Sequence, residues 1–426
     1  MKHLRASAGW RDLAEQRLTR LNTRRFGLLA FFILFSVYLP TSLAFGFHHV
    51  DAFGNELTAW SLVRNGSPTL DGYGPFELDA DTFQAGVPRL RSGRSGTVSQ
   101  YPPGAALTAV PVYAAARVLG VDEQSVTLDT LEGQAVTVFF PPAWIGGLAG
   151  ALSTALAGMF VCLTVGIRSS RTTALAAGLT FGLGTGAWMV ASTDLWTHGP
   201  TMMWLAAAVY LAQTRRLKLS GAAFAMAVLI RPHTAIIAAA VGAAIALRRR
   251  SVLPLLELGI PATGGVLALL AYNRWAYGAW TLSGGYGDGF AKALTATDGS
   301  SVVTFARQVG WGLAHPVRGL VIYSPWLLTL LPVVREGWRR CDPVGRGAAL
   351  GGLLYLAIQW RANWYSGGTG FWGYRYPLGP LAVSALLGVA CWESLPAHGR
   401  LREWFPRLVI ASGALQLAGF AFYTWL

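Results

Sequence analysis

Read for polarity alone, the chain alternates between long apolar runs and short charged breaks. Residues 26–46 (FGLLAFFILFSVYLPTSLAFG) carry no charge and, as a helix, extend about 31 Å, one hydrocarbon thickness. Further apolar runs fall at roughly 143–167, 172–191, 199–213, 219–232, 234–247, 252–272, 319–334, 347–360, 376–395 and 408–425. A chain in lipid must satisfy its own backbone, so these runs predict helices. Arg231-Pro232 leaves open one broken helix in place of two around that point. The apolar piece 103–120 also approaches span length. Counting it as a crossing would put Asp122–Glu132 inside and invert every later loop, so it predicts a helix lying along the outer membrane surface, begun by Pro102-Pro103. The expected fold is all-α: a polytopic membrane protein of about 11 transmembrane helices, give or take two, whose long first outer loop, 47–142, carries membrane-surface helices.

Composition agrees. The hydrophobic fraction is 53%, the charged fraction 13% and the mean hydropathy +0.42, outside the range of a soluble domain. Charge then orients the chain. Residues 1–25 form a basic segment with Lys2, Arg5, Arg11, Arg17, Arg20, Arg24 and Arg25, which predicts a cytoplasmic start. Alternation puts the breaks at Arg168–Arg171, Arg215–Lys218, Arg248–Arg250, Arg335–Arg346 and Arg400–Arg407 on the same side. These inner segments hold 22 of the 34 Lys and Arg but 5 of the 20 Asp and Glu. The net charge of +14 is therefore a topological bias, and nucleic-acid binding is not needed to explain it. A cleaved signal peptide ending near Ser42-Leu43-Ala44 is the alternative for the first segment, but the long basic region and long apolar run favour an uncleaved anchor. The organisation expected is a cytoplasmic segment 1–25, a transmembrane catalytic domain 26–395, and a cytoplasmic loop with the last span in 396–426. Three cysteines without a CxxC indicate neither a disulfide framework nor a thiolate zinc site.

The long loops lie outside and the inner ones are short, which places the working surface on the extracytoplasmic face. Inside there is no room for a nucleotide-binding domain, and no Walker A motif or GxGxxG follows a strand. Asp51 sits just past the outer end of the first span, near headgroup depth, within reach of the phosphate end that a lipid-linked substrate would present there. Around it run "AWSLVRNGSPTL" (59–70), "QYPPGAALTAVPVYAAARVLG" (100–120), "STDLWTHGP" (192–200), "LIRP" (229–232), "YNRWAYGAW" (272–280), "HPVRGLVIYSPW" (315–326) and "GGTGFWGYRYPLGPL" (367–381).

In order and placement these motifs resemble the GT-C superfamily of polyprenyl-phosphate-sugar-dependent glycosyltransferases, chiefly bacterial members of the protein O-mannosyltransferase and aminoarabinose transferase clan. The likeness runs from about residue 26 to 395. It implies a polyprenyl-phosphate-linked sugar donor, an outward-facing site in the cytoplasmic membrane, a glycan, lipid or protein acceptor, and an acid in the first outer loop acting on the acceptor hydroxyl. Asp51 matches that position. Many relatives carry a doubled acid there, whereas this chain has a lone Asp with Glu56 five residues on.

Transfer from a phosphate-linked sugar needs a base, cations for the leaving phosphate and a surface for the sugar. Asp51 is the candidate base; its structural alternatives are an interfacial helix N-cap or a partner for a loop Arg. Arg375 is the first candidate for the phosphate, against a snorkelling role at a helix end, and Arg231, Arg318 and Lys292 are further candidates. Asp194, His198 and Glu56 are candidates for supporting acid–base or acceptor roles. Tyr101, Trp364, Trp372 and Tyr374 offer aromatic faces to sugar or prenyl groups, although most of the 17 Trp fit interfacial belts. No cofactor is expected. A divalent metal held by His198 with His48 or His49 stays open but is not indicated by any ligand spacing. A flippase for lipid-linked sugars is the rival function, disfavoured because the ionisable groups gather at helix ends and no repeat is visible.

Overall fold

The computed structural model describes residues 23–45, 48–73, 90–129, 135–287, 289–296, 299–368 and 371–425. Helix α1 (Thr23–Phe45) is followed by α2 (Val50–Asn65), which ends on Gly66 in a left-handed cap (φ 65°). Two strands, β1 (Leu90–Gly93) and β2 (Gly96–Ser99), pair antiparallel before α3 (Gly104–Val118). A second antiparallel hairpin, β3 (Gln124–Asp129) with β4 (Ala135–Phe140), leads into α4 (Ala143–Val165). Then come α5 (Arg171–Leu183), α6 (His198–Gln213), α7 (Leu217–Ile230), α8 (Ala235–Arg249) and α9 (Leu253–Tyr277). Short helices α10 (Gly289–Thr295), α11 (Gly299–Ala314), α12 (Leu320–Tyr323) and α13 (Val334–Arg340) precede α14 (Pro343–Ala362), α15 (Leu378–Val383), α16 (Ala385–Ser394) and α17 (Arg400–Trp425).

Among the described residues four helices are long and apolar enough to cross a membrane: Arg25–Phe45, Ala143–Val165, Leu253–Tyr277 and Arg400–Phe422. The other expected spans coincide with helices that are shorter or interrupted, except 347–360, which lies within the unbroken 20-residue α14. The run 172–191 is helical to Leu183, then passes Gly184 into a π-helical turn, Ala187–Ala191. The run 319–334 is broken into α12 and two 3₁₀ turns, Pro325–Thr329 and Leu331–Val333, because Pro325 and Pro332 each lack the N–H a continuous helix needs. The all-α expectation is corrected within 47–142, where the two hairpins stand beside the expected helix α3.

Close helix packing rests on glycine. Leu34 of α1 fills space that a Cβ at Gly158 of α4 or Gly182 of α5 would occupy, and Tyr38 donates to the Gly182 carbonyl at 2.8 Å. The same contacts decide the Arg231-Pro232 question. Gly221 and Gly242, nearly equidistant from Arg231 on either side, both abut Leu258 of α9. In one straight helix they would lie about 30 Å apart. The chain therefore folds back at Pro232–Thr234, and Arg231 sits at the apex of an α7–α8 hairpin. This apex, the start of α2, the buried loop 192–197 and the segment before α15 gather at the end of the bundle where α1 finishes.

Candidate active site

Asp51 lies in the first turn of α2, where unpaired backbone N–H groups favour a negative charge. Its Oδ2 accepts a hydrogen bond from Arg375 Nη1 at 2.6 Å, and the Tyr101 hydroxyl is a second partner. The Arg375 guanidinium is held between two rings, 5.4 Å from the centre of Trp196 and 4.9 Å from that of Phe371. Gly367 (φ 75°) and Gly368 (φ 105°) make the turn that lets this side chain pass; a Cβ on Gly367 would stand 3.0 Å from Arg375 Nε. Two buried donors on this wall, Arg375 Nε and Trp196 Nε1, have no hydrogen-bond acceptor among the described residues. Such donors suit an anionic or hydroxyl-rich ligand.

Asp51 and Arg375 open onto a cavity of about 630 Å³, also lined by Tyr101, Arg231, His233, Tyr286 and Gln359. Arg231 differs from Arg375 in its company. It donates to Thr197 Oγ1 (3.0 and 3.2 Å) and to Tyr355 OH (3.0 Å), and it faces His198 Nε2 at 2.9 Å. All these partners are neutral as donors or acceptors, and among the described residues Arg231 makes no ion pair. A guanidinium so placed at a cavity wall favours an anion beside it. His233 contacts Gln359 by a hydrogen bond and stacks near Tyr355 (4.4 Å between ring centres), lining the wall next to Arg231 with neutral polar groups.

Behind Asp51, away from the cavity, lies a second group. Glu56 and Asp194 are 0% and 2% exposed. The Asp194 carboxylate accepts the His49 N–H at 2.9 Å and the Leu195 N–H at 2.6 Å, which fixes both the start of α2 and the turn of loop 192–197. Glu56 pairs with His48 through Oε2, and its Oε1, which has no hydrogen-bond partner among the described residues, converges with Asp194 Oδ1 over Gly146. Burial pushes the Glu56 carboxyl up to about 7, and burial together with the adjacent Glu56 raises Asp194. Burial lowers His48 and His49 below the usual histidine value, so both rings are neutral at pH 7.

The candidates read from sequence thus separate into groups. Asp51, Arg375, Arg231 and Tyr101 meet at the cavity, and His198 supports Arg231 from behind. Asp194 and Glu56 form the buried pair. His198 faces Arg231, not His48 or His49. Arg318 donates to the Phe371 carbonyl at 2.6 Å and lies over its ring, holding the turn before Arg375 without lining the cavity. Lys292 is exposed on α10, and neither it nor the following aromatics line the cavity. Trp364 is half-exposed against Trp311, Trp372 donates to Leu415 O at 3.0 Å on the α17 side, and Tyr374 accepts from Trp360 at 2.6 Å. Reasoning from sequence passed over Trp196, Thr197, His233, Tyr286 and Gln359. Gln359 left a readable signal: an amide within the apolar run 347–360.

No family model and no curated protein sequence matches the chain. A solved structure does: the crystal structure of ArnT from Cupriavidus metallidurans bound to undecaprenyl phosphate superposes with a TM-score of 0.53 at 12% identity, over 93% of this chain and 75% of that one. The likeness is one of fold: the chain is a helical integral membrane protein built like ArnT.

Proposed function

We propose that the chain is a membrane glycosyltransferase that moves a sugar from a polyprenyl-phosphate donor to a hydroxyl of an envelope acceptor, on the extracytoplasmic face. One observation carries this reading: a carboxylate and two guanidiniums meet at one cavity, with one guanidinium bound to the carboxylate and the other, among the described residues, to neutral groups only. The fold likeness to a protein solved with undecaprenyl phosphate supports the choice of donor.

The charges balance through the reaction. A sugar–phosphate–polyprenyl diester carries one negative charge, which Arg231 meets. Asp51 takes the acceptor proton as the hydroxyl oxygen attacks the anomeric carbon, and the bond from that carbon to the phosphate oxygen breaks with inversion. The phosphate leaves with a second negative charge at the moment Asp51 becomes neutral. Arg375, losing its anionic partner, turns its charge to the leaving group. Catalysis is then a change of partner at one arginine.

The test is turnover in detergent, where transport between two sides of a membrane gives no signal. Wild type and Asp51→Asn are incubated with lipids and acceptors extracted from host membranes, and polyprenyl phosphate release is followed by mass spectrometry. Release by wild type that is lost in the variant supports transfer. Donor binding without release by either protein would instead indicate a flippase.

A further inference from the structure

The Glu56–Asp194 pair is the part of the site that the reaction above does not use. Its geometry is unusual because both side chains are acids. A Cβ added to Gly146 of α4 would lie 2.7 Å from Asp194 Oδ1 and 2.9 Å from Glu56 Oε1, so the two carboxyls converge over the same bare glycine. A carboxylate has no donor, and two of them cannot hydrogen-bond to each other unless a proton lies between. Of the groups around them, the His49 and Leu195 N–H groups donate to Asp194 and His48 Nδ1 pairs with Glu56, while the buried Tyr113 hydroxyl has no hydrogen-bond partner among the described residues.

The pair also sits at a junction. Glu56 is on α2, five residues beyond Asp51. Asp194 is in the loop that delivers Trp196 to Arg375 and Thr197 to Arg231. Asn55 reinforces the same seam, donating to the Leu195 carbonyl at 3.1 Å. We infer that Glu56 and Asp194 share one proton, and that this proton clamps the helix bearing Asp51 to the loop that seats both arginines. They are positioning residues for the transfer, and this role rests on the proposed reading of Asp51, Arg231 and Arg375.

The titratable and charged groups facing the pair are few: His48 and His49 before α2, Tyr113 of α3, and the Asp51–Arg375 ion pair beyond. Helix α4 faces the pair with Gly146 and, against the Asp194 backbone, Gly150, neither of which carries a side chain. Loss of the shared proton therefore leaves two adjacent buried negative charges with only neutral imidazoles beside them, and their repulsion opens the seam.

Two readouts test this. In infrared difference spectra of purified wild type in detergent, a protonated-carboxyl band is expected at pH 6 and is lost on alkaline titration; Glu56→Gln lacks it. In turnover assays the wild-type rate falls about tenfold per pH unit above the pair's pKa, as for loss of one essential proton. Glu56→Gln, whose amide donates the same hydrogen bond without titrating, loses this alkaline limb relative to its own maximum. Glu56→Ala, with no donor, is slow at every pH. A wild-type spectrum without the carboxyl band, or a Glu56→Gln profile with an unchanged alkaline limb, would overturn the inference. The wild-type titration decides the shared proton even where the variant does not accumulate. If wild type releases no polyprenyl phosphate at any pH, the transfer reading fails, while the infrared band still answers for the proton.

Discussion

At the scale of single residues, two arginines of one cavity differ by their neighbours. Arg375 is committed to Asp51 at 2.6 Å, whereas Arg231 is held by Thr197, Tyr355 and His198. The proposed division of labour predicts different kinetic signatures. Asp51→Asn removes the base and lowers kcat by about 10²–10⁴-fold while leaving donor binding in place. Arg231→Met removes the charge-assisted bonds to the donor phosphate; it is expected to weaken donor affinity by about 1.5–3 kcal/mol, roughly 10- to 100-fold, read as a raised KM or a weaker Kd for polyprenyl phosphate. Equal effects of both variants on kcat alone would contradict this division. Asp51 and Arg375 were legible in the sequence because a charge at the border of an apolar run stands out. Their partnership was not, since the residues are 324 positions apart and nothing local relates them. The same holds for Glu56 and Asp194, each visible as an acid and neither visible as half of a pair.

At the scale of elements, glycine placement separates packing from propensity. In α9, Gly264 and Gly265 are consecutive, yet a Cβ on Gly264 meets nothing within 4 Å while one on Gly265 would run into the Ala225 backbone of α7. Gly264→Ala is therefore expected to stabilise the protein by about 0.5–1 kcal/mol, and Gly265→Ala to destabilise it by roughly 1–3 kcal/mol. Thermal unfolding in detergent should show opposite shifts in Tm; shifts of the same sign would mean that the α7–α9 contact is not as close as described. Apolar length located the helices well, since hydropathy reports burial in lipid directly. It located breaks poorly. Pro325 and Pro332 were readable as interruptions of 319–334, but the resulting turns depend on packing against Gly184, whose carbonyl accepts from Trp326 Nε1 at 2.9 Å. The alternating Val and Thr of 124–129 and 135–140 carried a strand signal that the acidic character of the neighbouring loop obscured.

At the scale of the molecule, charge asymmetry makes a topological prediction independent of chemistry. The native cysteines Cys162, Cys341 and Cys391 are all buried, so labelling background is low. Lys292→Cys on α10 should react with a membrane-impermeant maleimide in intact cells, and Arg339→Cys on α13, where the native side chain is 62% exposed, only after permeabilisation. The reverse pattern would turn the proposed site toward the cytoplasm and remove a lipid-linked donor presented from outside.

Under the proposed transfer, the clasp between Asp51 and Arg375 also bears on the state in which no acceptor is present. A cavity of 630 Å³ admits water, and a free carboxylate beside a bound donor would activate that water and discharge the sugar uselessly. With its Oδ2 engaged by a guanidinium and a tyrosine beside it, Asp51 is a poor base toward a small, unanchored nucleophile. Only an acceptor bound firmly enough to hold its hydroxyl against the carboxylate competes for the proton-accepting lone pairs. On the proposed reading the ion pair is a safety catch: the idle protein would keep its loaded lipid intact, and the cell's limited stock of carrier would be released only with a product to show for it.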